Sequence, residues 1–193
     1  MPDDTTRRAI SVASEIAAGA TQFKCCPPIR EPENRELLWQ GLADGTIDCI
    51  VSDHSPSTLD LKDLENGDFG VAWGGVSSLQ LGLSLVWTEA RRRGISLEQV
   101  VQWMASRPAE LVRLPSKGKL ALGFQADLSI FAPDQAYVVD PAKLHHKNPI
   151  TPYAQMPLSG VVRRTFLRGR QVDGQSPNGQ LLRRGQDALL PAG

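Results

Sequence analysis

An aspartate and a histidine follow an apolar run in the first third of this chain, and both side chains could bind a metal ion or move a proton. The sequence VSDHSPST places Asp53 and His54 between the apolar run 47–51 and a turn at Pro56. Carboxylate and imidazole groups are common ligands of zinc and common acid–base groups. An adjacent Asp-His pair in a loop is more often structural than catalytic, so this pair needs further groups to form a site.

Those further groups do not lie nearby in the sequence. The chain has three histidines, and the other two, His145 and His146, come far downstream. A catalytic zinc ion usually has about three protein ligands. The two later histidines could form a ligand pair, but we favour a loop, HHKNPITPY, that packs against the rest of the chain.

The cysteines give no separate metal cluster. Cys25 and Cys26 are adjacent, and Cys49 is the third. Neighbouring residues of a strand point to opposite faces, so the adjacent pair could not chelate one ion from a strand. We expect buried, unreactive thiols. An odd number of cysteines without a disulfide framework fits a reducing compartment and predicts a cytoplasmic location.

The composition excludes several partner classes. The formal net charge is zero, with 41% hydrophobic and 22% charged residues. Nothing in this balance indicates nucleic acid or an anionic membrane as a partner. The acidic start at Met1 lacks the pattern of a signal peptide, and no run approaches the about 20 apolar residues that span a bilayer.

The elements expected to position Asp53 form a β-α-β unit. Residues 21–26 read as a strand that must end at Pro27, and residues 33–43 read as a helix that Gly45 terminates. Residues 47–52 read as a second strand. Its apolar run is typical of a parallel strand covered on both faces, which would be open to aggregation if left without neighbours.

A long loop and two helices follow. The loop at 54–75 is rich in Gly, Asp and Ser, and loops of this length are often functional. Residues 77–93 predict a long amphipathic helix. Residues 97–105 predict another, whose capping box would be formed by Ser96 and Gln99.

The character of the chain changes after Pro115. Before this point, Pro108 predicts a last short helix. After it, two segments with glycine turns, KGKLALGFQADLSIFAPD and LSGVVRRTFLRGRQV, predict short strands. We place the domains at 1–115 and 116–175, followed by a flexible tail at 176–193. The predicted fold class is α/β.

The four tryptophans are expected to divide between core and pocket. Trp39, Trp87 and Trp103 lie on predicted helices and are assigned to the core. Trp73 lies in the long loop and is the one with a claim to a pocket.

Four segments in this order resemble the cyclic amidohydrolases, which include dihydroorotase and dihydropyrimidinase. They are QFKCCPPIRE, GTIDCIVSDHSP, AWGGVSSLQ and KGKLALGFQADLSIF, within residues 11–174. Within that superfamily, CCPPIR and WGG are most similar to allantoinases. The resemblance implies the C-terminal part of a metal-dependent-hydrolase (β/α)₈ barrel, strands 7 and 8 with helices, joined to part of a small β-sandwich.

The resemblance also implies roles for single residues. Asp53 matches the aspartate of the eighth strand, which is both a metal ligand and the catalytic acid–base group. His54 would support that aspartate. Cys26, Trp73 and Gly74 match positions that bind the cyclic ureide, largely through backbone groups. Similar enzymes hold two zinc ions and use a bridging hydroxide to open the ring.

The sequence departs from the family where the other zinc ligands should be. It has no His-x-His pair and no candidate for the bridging carboxylated lysine, and Arg7, which cannot ligate, stands where a sixth-strand histidine is expected. We expect a truncated segment that alone binds zinc poorly and is inactive.

The complete enzyme would convert allantoin to allantoate in purine catabolism as a dimer or tetramer. The alternative is a non-catalytic, dihydropyrimidinase-like scaffold module.

Overall fold

A computed structural model of the chain describes residues 10–182. Arg7 and the part of the predicted tail beyond residue 182 lie outside this range. The α-helices are α1 (Pro32–Asp44), α2 (Gly82–Arg92), α3 (Leu97–Val101) and α4 (Arg107–Leu111), and the strands are β1 (Leu128–Val138), β2 (Pro157–Leu167) and β3 (Arg170–Gln171). Short 3-10 turns lie at Ala13–Glu15, Thr21–Phe23, Asp60–Lys62, Leu79–Leu81 and Pro141–Lys143.

Helix α1 forms where the sequence predicted it. Pro32 occupies its first turn, and Gly45 ends it in the left-handed conformation with φ +82°. Trp39 and Leu42 are buried on one side of the helix. The predicted helix at 33–43 is therefore confirmed, with its boundaries extended by one residue at each end.

The two strands predicted beside α1 do not form within the described part of the chain. Residues Thr21–Phe23 form a 3-10 turn, and residues 47–52 pair with no strand within the described part of the chain. The Ile50 N–H bonds instead to the carbonyl of Trp103, at 3.0 Å. A strand exists only where a neighbouring backbone completes its hydrogen bonds, and apolar composition alone did not supply that neighbour.

Helix α2 contributes to both hydrophobic clusters of the described chain. The 3-10 turn Leu79–Leu81 leads directly into this helix, which ends at Arg92, so the two together lie close to the predicted span 77–93. Two hydrophobic clusters meet on it. One contains Val86 and Trp87 of α2 with Trp39, Leu42, Ile50 and Trp103, and the other contains Leu81 and Leu85 with Val139, Tyr153 and Leu158.

The helix predicted at 97–105 and the short helix predicted at Pro108 form one continuous helical segment. The Ser96 hydroxyl accepts the Gln99 N–H at 3.2 Å, which confirms the predicted N-cap. A π-helical turn, Gln102–Ser106, connects α3 to α4. Pro108 has no N–H and would crowd the preceding turn of a regular helix, and a wider turn just before it lets the helical path continue.

The second half of the described chain forms one antiparallel sheet in the order β1-β2-β3. Leu128 faces Phe166 and Val138 faces Pro157, with an irregularity between Ala132 and Ala136. That irregularity contains Pro133, which cannot donate to a ladder. The segment from Lys117 to Phe124, predicted as a strand, consists of turns.

Helix α2 and the sheet are in direct contact. Ser84 Oγ donates to the carbonyl of Gly160 at 2.7 Å, and Trp87 Nε1 donates to the carbonyl of Pro133 at 3.0 Å. Gly160 has φ +87°, and an ideal Cβ there would lie 2.1 Å from the ring of Phe131. Only glycine fits this crossing of helix and sheet.

Tryptophan burial agrees with the prediction. Trp39, Trp87 and Trp103 are buried, whereas Trp73 is 61% exposed.

Among residues 10–182, no helix has the length and apolarity that crossing a membrane would require.

Candidate active site

Asp53 lies on an exposed turn with an unusual backbone. Its φ is +42°, a conformation that aspartate tolerates better than most residues. Ser55 Oγ donates to the Asp53 carbonyl at 3.0 Å. The residue as a whole is exposed.

The turn that carries Asp53 is bonded to the segment that follows Trp73. The Ser55 N–H donates to the Val76 carbonyl at 3.0 Å, and the Val76 N–H donates back to Ser55 Oγ at 3.2 Å. His54 and Val76 form an isolated parallel bridge. Ser78 Oγ also donates to the Ser52 carbonyl at 3.2 Å. These bonds hold the aspartate turn against the end of the long loop.

His54 uses one ring nitrogen to hold the start of a helix. Its Nδ1 accepts the N–H groups of Ser78 and Leu79, at 3.0 and 3.1 Å. A neutral imidazole that accepts at Nδ1 carries its proton on Nε2. In this state neither nitrogen offers a lone pair to a metal ion. The support of Asp53 by His54 stays a prediction.

His146 lies beside His54, which the sequence did not reveal. The ring centroids are 5.2 Å apart and the rings are tilted by 50°. Burial lowers the pKa of His146, and the nearby His54 and His145 lower it further. As expected, the surrounding loop packs on the first half of the chain, where Thr151 Oγ1 donates to the Ser77 carbonyl at 2.7 Å.

Cys26, Trp73 and Gly74 come together in space. An ideal Cβ on Gly74 would lie 3.9 Å from both the N and the Sγ of Cys26. The Gly75 N–H donates to the Lys24 carbonyl at 2.9 Å, which ties the two loops together. Since the next residue, Val76, bonds to Ser55, the predicted ureide-binding positions and the aspartate turn form one neighbourhood.

Lys62 is a buried cation within this neighbourhood, and sequence reasoning missed it. It is 2% exposed, and its Nζ donates to the carbonyls of Trp73 at 2.9 Å, Lys24 at 3.4 Å and Gly75. Lys62 is the single lysine in the long loop 54–75, which is the signal that could have singled it out.

The three cysteines differ in exposure. Cys25 is buried and Cys49 is half-buried, but Cys26 is exposed, so the prediction of buried thiols is wrong for Cys26. Burial raises the pKa of Cys49, and the neighbouring Asp48 raises it further.

An open, largely apolar groove of about 520 Å³ borders Cys26, and its lining includes Ile16, Phe23 and Phe69.

The described residues do not fit a two-metal centre by themselves. Within residues 10–182, no three His, Cys, Asp or Glu side chains converge as metal ligands would. Asp53 supplies one carboxylate, and Nδ1 of His54 is occupied by backbone donors.

Comparison with known proteins then identifies the family. The model of the amidohydrolase family matches residues 9–172. The chain belongs to the amidohydrolase family.

Two relatives of this chain within the amidohydrolase family are both named allantoinases. The chain is 57% identical over 176 residues to an allantoinase of Streptomyces avermitilis, covering 89% of this chain and 39% of that protein. It is 46% identical over 165 residues to an allantoinase of Arabidopsis thaliana, covering 84% of this chain and 33% of that protein. The chain thus spans about two fifths or less of the length of these relatives.

A solved structure with a similar fold is the L-hydantoinase (dihydropyrimidinase) from Arthrobacter aurescens. The TM-score is 0.78 at 30% sequence identity, and the match covers 91% of this chain and 39% of that chain. The α/β fold class is thereby supported as an amidohydrolase fold. Amidohydrolases of this kind are generally metal-dependent.

Proposed function

We propose that this chain is the part of an allantoinase-type cyclic amide hydrolase that carries the catalytic aspartate and the ring-binding loop. The observation that carries the proposal is the 57% identity to the Streptomyces avermitilis allantoinase. That match covers enough of the chain to include Asp53 and the contact between Cys26 and Gly74. The substrate would be allantoin and the product allantoate, a step of purine catabolism.

In the complete enzyme, we assign the first half of the chain to the end of a (β/α)₈ barrel. Residues 21–26 and 47–52 would occupy the positions of strands 7 and 8, and the sheet β1-β2-β3 would be part of a β-sandwich. Two observations support this assignment: the likeness to the hydantoinase structure and the place of Asp53 directly after the second segment. Active sites of such barrels lie at the C-terminal ends of the strands.

The chemistry proposed for Asp53 is proton transfer. Water adds to a ring carbonyl, the ring C–N bond breaks, and the carboxylate carries the proton from the attacking water to the leaving nitrogen. An exposed aspartate on a turn that Ser55 holds suits this role. Backbone groups at Cys26, Trp73 and Gly74 would orient the flat ring, which presents both donors and acceptors.

Zinc remains part of the proposal for the complete enzyme only. Of the residues described, Asp53 is the one ligand the family resemblance assigns, and a catalytic zinc ion usually has about three. Two zinc ions would therefore need ligands from outside residues 10–182.

We also propose that the complete enzyme is a cytoplasmic dimer or tetramer. Its binding partner would be a small ureide, and neither nucleic acid nor a membrane.

A chimera tests the proposal directly. It is the Streptomyces avermitilis allantoinase with its matched segment replaced by the corresponding residues of this chain. We expect the zinc-loaded chimera to release allantoate from allantoin, whereas the 193-residue chain alone does not. A folded, metal-loaded chimera that leaves allantoin intact would overturn the proposal and favour the scaffold alternative. Hydrolysis of hydantoin but not allantoin would reassign the substrate.

A further inference from the structure

Backbone carbonyls of two loops lie around the buried ammonium of Lys62. A lysine ammonium has three N–H donors and no acceptor. Three backbone carbonyls face Nζ: Trp73 at 2.9 Å, Lys24 at 3.4 Å and Gly75. These carbonyls belong to two separate loops, so one cation connects both of them.

This arrangement fixes the direction of neighbouring N–H groups. In a trans peptide unit the C=O and the following N–H point in opposite directions. When Lys62 holds the Trp73 carbonyl, the Gly74 N–H must point away from Lys62. The same rule explains the next contact, since the Gly75 carbonyl faces Lys62 and the Val76 N–H reaches Ser55 Oγ at 3.2 Å.

The Gly74 N–H has no acceptor among residues 10–182, unlike its neighbours. The N–H groups of Trp73 and Gly75 donate to the carbonyls of Leu61 and Lys24, at 2.7 and 2.9 Å. Gly74 itself lies beside Cys26 and has no side chain to cover its backbone. A donor that is left open in this way can serve a ligand oxygen.

We propose that Lys62 is a positioning residue that sets the Gly74 N–H to donate to a carbonyl oxygen of the ureide ring. The proposal rests on the allantoinase-type function and deepens it. Lys62 acts through the backbone of Trp73 and Gly74 and does not touch the ring. The hydrogen bond from Gly74 contributes to binding in the ground state and the transition state alike, so its loss affects KM more than kcat.

Kinetics of the chimera separate positioning from a general structural role. Lys62→Met removes all three donors, and Lys62→Gln keeps two N–H groups. We expect KM for allantoin to rise about tenfold in Lys62→Met and less in Lys62→Gln, with kcat changed by less than about threefold. The matched control is Lys143→Met, because the Lys143 side chain is 83% exposed. Unchanged KM in both Lys62 variants, or equal falls in the amount of active enzyme without a change in KM, would overturn the proposal.

A second readout does not depend on activity. Hydrogen exchange of the Gly75 N–H and the rate of Cys26 alkylation report whether the two loops stay together, in the 193-residue chain and in the chimera. Both should rise in Lys62→Met and rise less in Lys62→Gln. If Lys62→Met does not fold, Lys62→Gln decides alone, and wild-type exchange and KM in that variant would overturn the proposal. An inactive parent chimera would instead count against the proposed function, while the exchange data would still report on Lys62.

Discussion

The carbonyl oxygen of Ser55 occupies the place that a side chain on Gly75 would need. An ideal Cβ on residue 75 would lie 2.3 Å from this oxygen, and the φ of Gly75 is +132°. Both facts restrict the position to glycine. This close approach lets the turn after Asp53 and the loop after Trp73 share hydrogen bonds.

Gly75→Ala should therefore destabilise the chain and separate the two loops. We expect a loss of roughly 2–4 kcal/mol in the free energy of unfolding, because alanine is strained at this φ and its Cβ would meet main-chain atoms. Urea denaturation of the 193-residue chain measures it. Gly179→Ala is the control, since nothing lies within 4 Å of a Cβ there. Equal stability of the two variants would contradict the packing described.

Asp53→Asn should remove hydrolysis from the chimera. Asparagine keeps the shape but cannot accept and return a proton at neutral pH, and loss of a general acid–base group typically costs about 10²–10⁴-fold in rate. Allantoate release measures this loss. The control is Asp48→Asn, an exposed aspartate on the preceding segment. Asp53 has no acid–base role if the two variants have similar kcat values.

His54→Leu should cost stability because the buried N–H of Ser78 loses its acceptor. A buried donor without a partner costs about 1–3 kcal/mol. His54→Asn offers a side-chain oxygen near the position of Nδ1 and should cost less than half as much as the leucine variant. Urea denaturation of both variants makes the comparison. Equal losses would show that the imidazole packing, rather than its bond to the helix start, matters.

The contact between Glu36 and Arg93 should give a small stabilisation that depends on pH. The two hydrogen bonds from Arg93, at 2.5 and 2.9 Å, lower the pKa of Glu36 from its ordinary value of 4.5. A carboxyl with a lowered folded-state pKa stabilises the fold above its unfolded pKa, and this stabilisation disappears as pH falls through the folded pKa. Arg93 also lies 5.0 Å above the ring of Trp39, so the pair joins α1 to the end of α2.

Glu36→Gln should lower stability by less than about 1 kcal/mol at neutral pH, because the pair is partly exposed. As pH falls from neutral through the lowered folded-state pKa of Glu36, the urea midpoints of the variant and the parent should converge. Glu65→Gln, at an exposed loop carboxylate, controls for loss of charge. A difference that grows as pH falls would contradict the sign of the pKa change.

The cysteines should react with iodoacetamide in the order Cys26, Cys49, Cys25. Cys26 is exposed, Cys25 is buried, and the raised pKa of Cys49 leaves less of the reactive thiolate at neutral pH. We expect Cys26 to react at least about tenfold faster than Cys49. Peptide mass mapping gives the rates, and the same reaction in denaturant should make them similar. Faster reaction of Cys49 in the folded chain would contradict this order.

Local signals were enough to predict the helices from the sequence. Gly45 ended α1 because a left-handed residue satisfies the last turn of a helix, and Ser96 began α3 by capping it. The spacing of apolar residues located α2. Each signal depends on residues within a few positions of one another, so the amino-acid types were sufficient.

Features that depend on distant partners could not be predicted in the same way. The segment 47–52 has the composition of a strand, but its backbone bonds to Trp103, about fifty positions away in the chain. Lys62 gains its role from the carbonyls of Lys24 and Trp73, which only the folded loop brings to it. Asp53 and Trp73 were candidates from their places in the sequence, but their roles, and those of Cys26 and Gly74, came from the family resemblance.

Helix α2 limits how this polypeptide can be divided for engineering. A designer who grafted the β1–β2 hairpin onto another scaffold would have to bring the helix along, because Ser84 and Trp87 hold the hairpin backbone at Gly160 and Pro133. Removing the helix with the hairpin would in turn strip Trp39 and Ile50 of their neighbours. A cut at residue 115 would therefore yield two pieces, each of which exposes apolar side chains that the other now covers. Each piece would tend to aggregate.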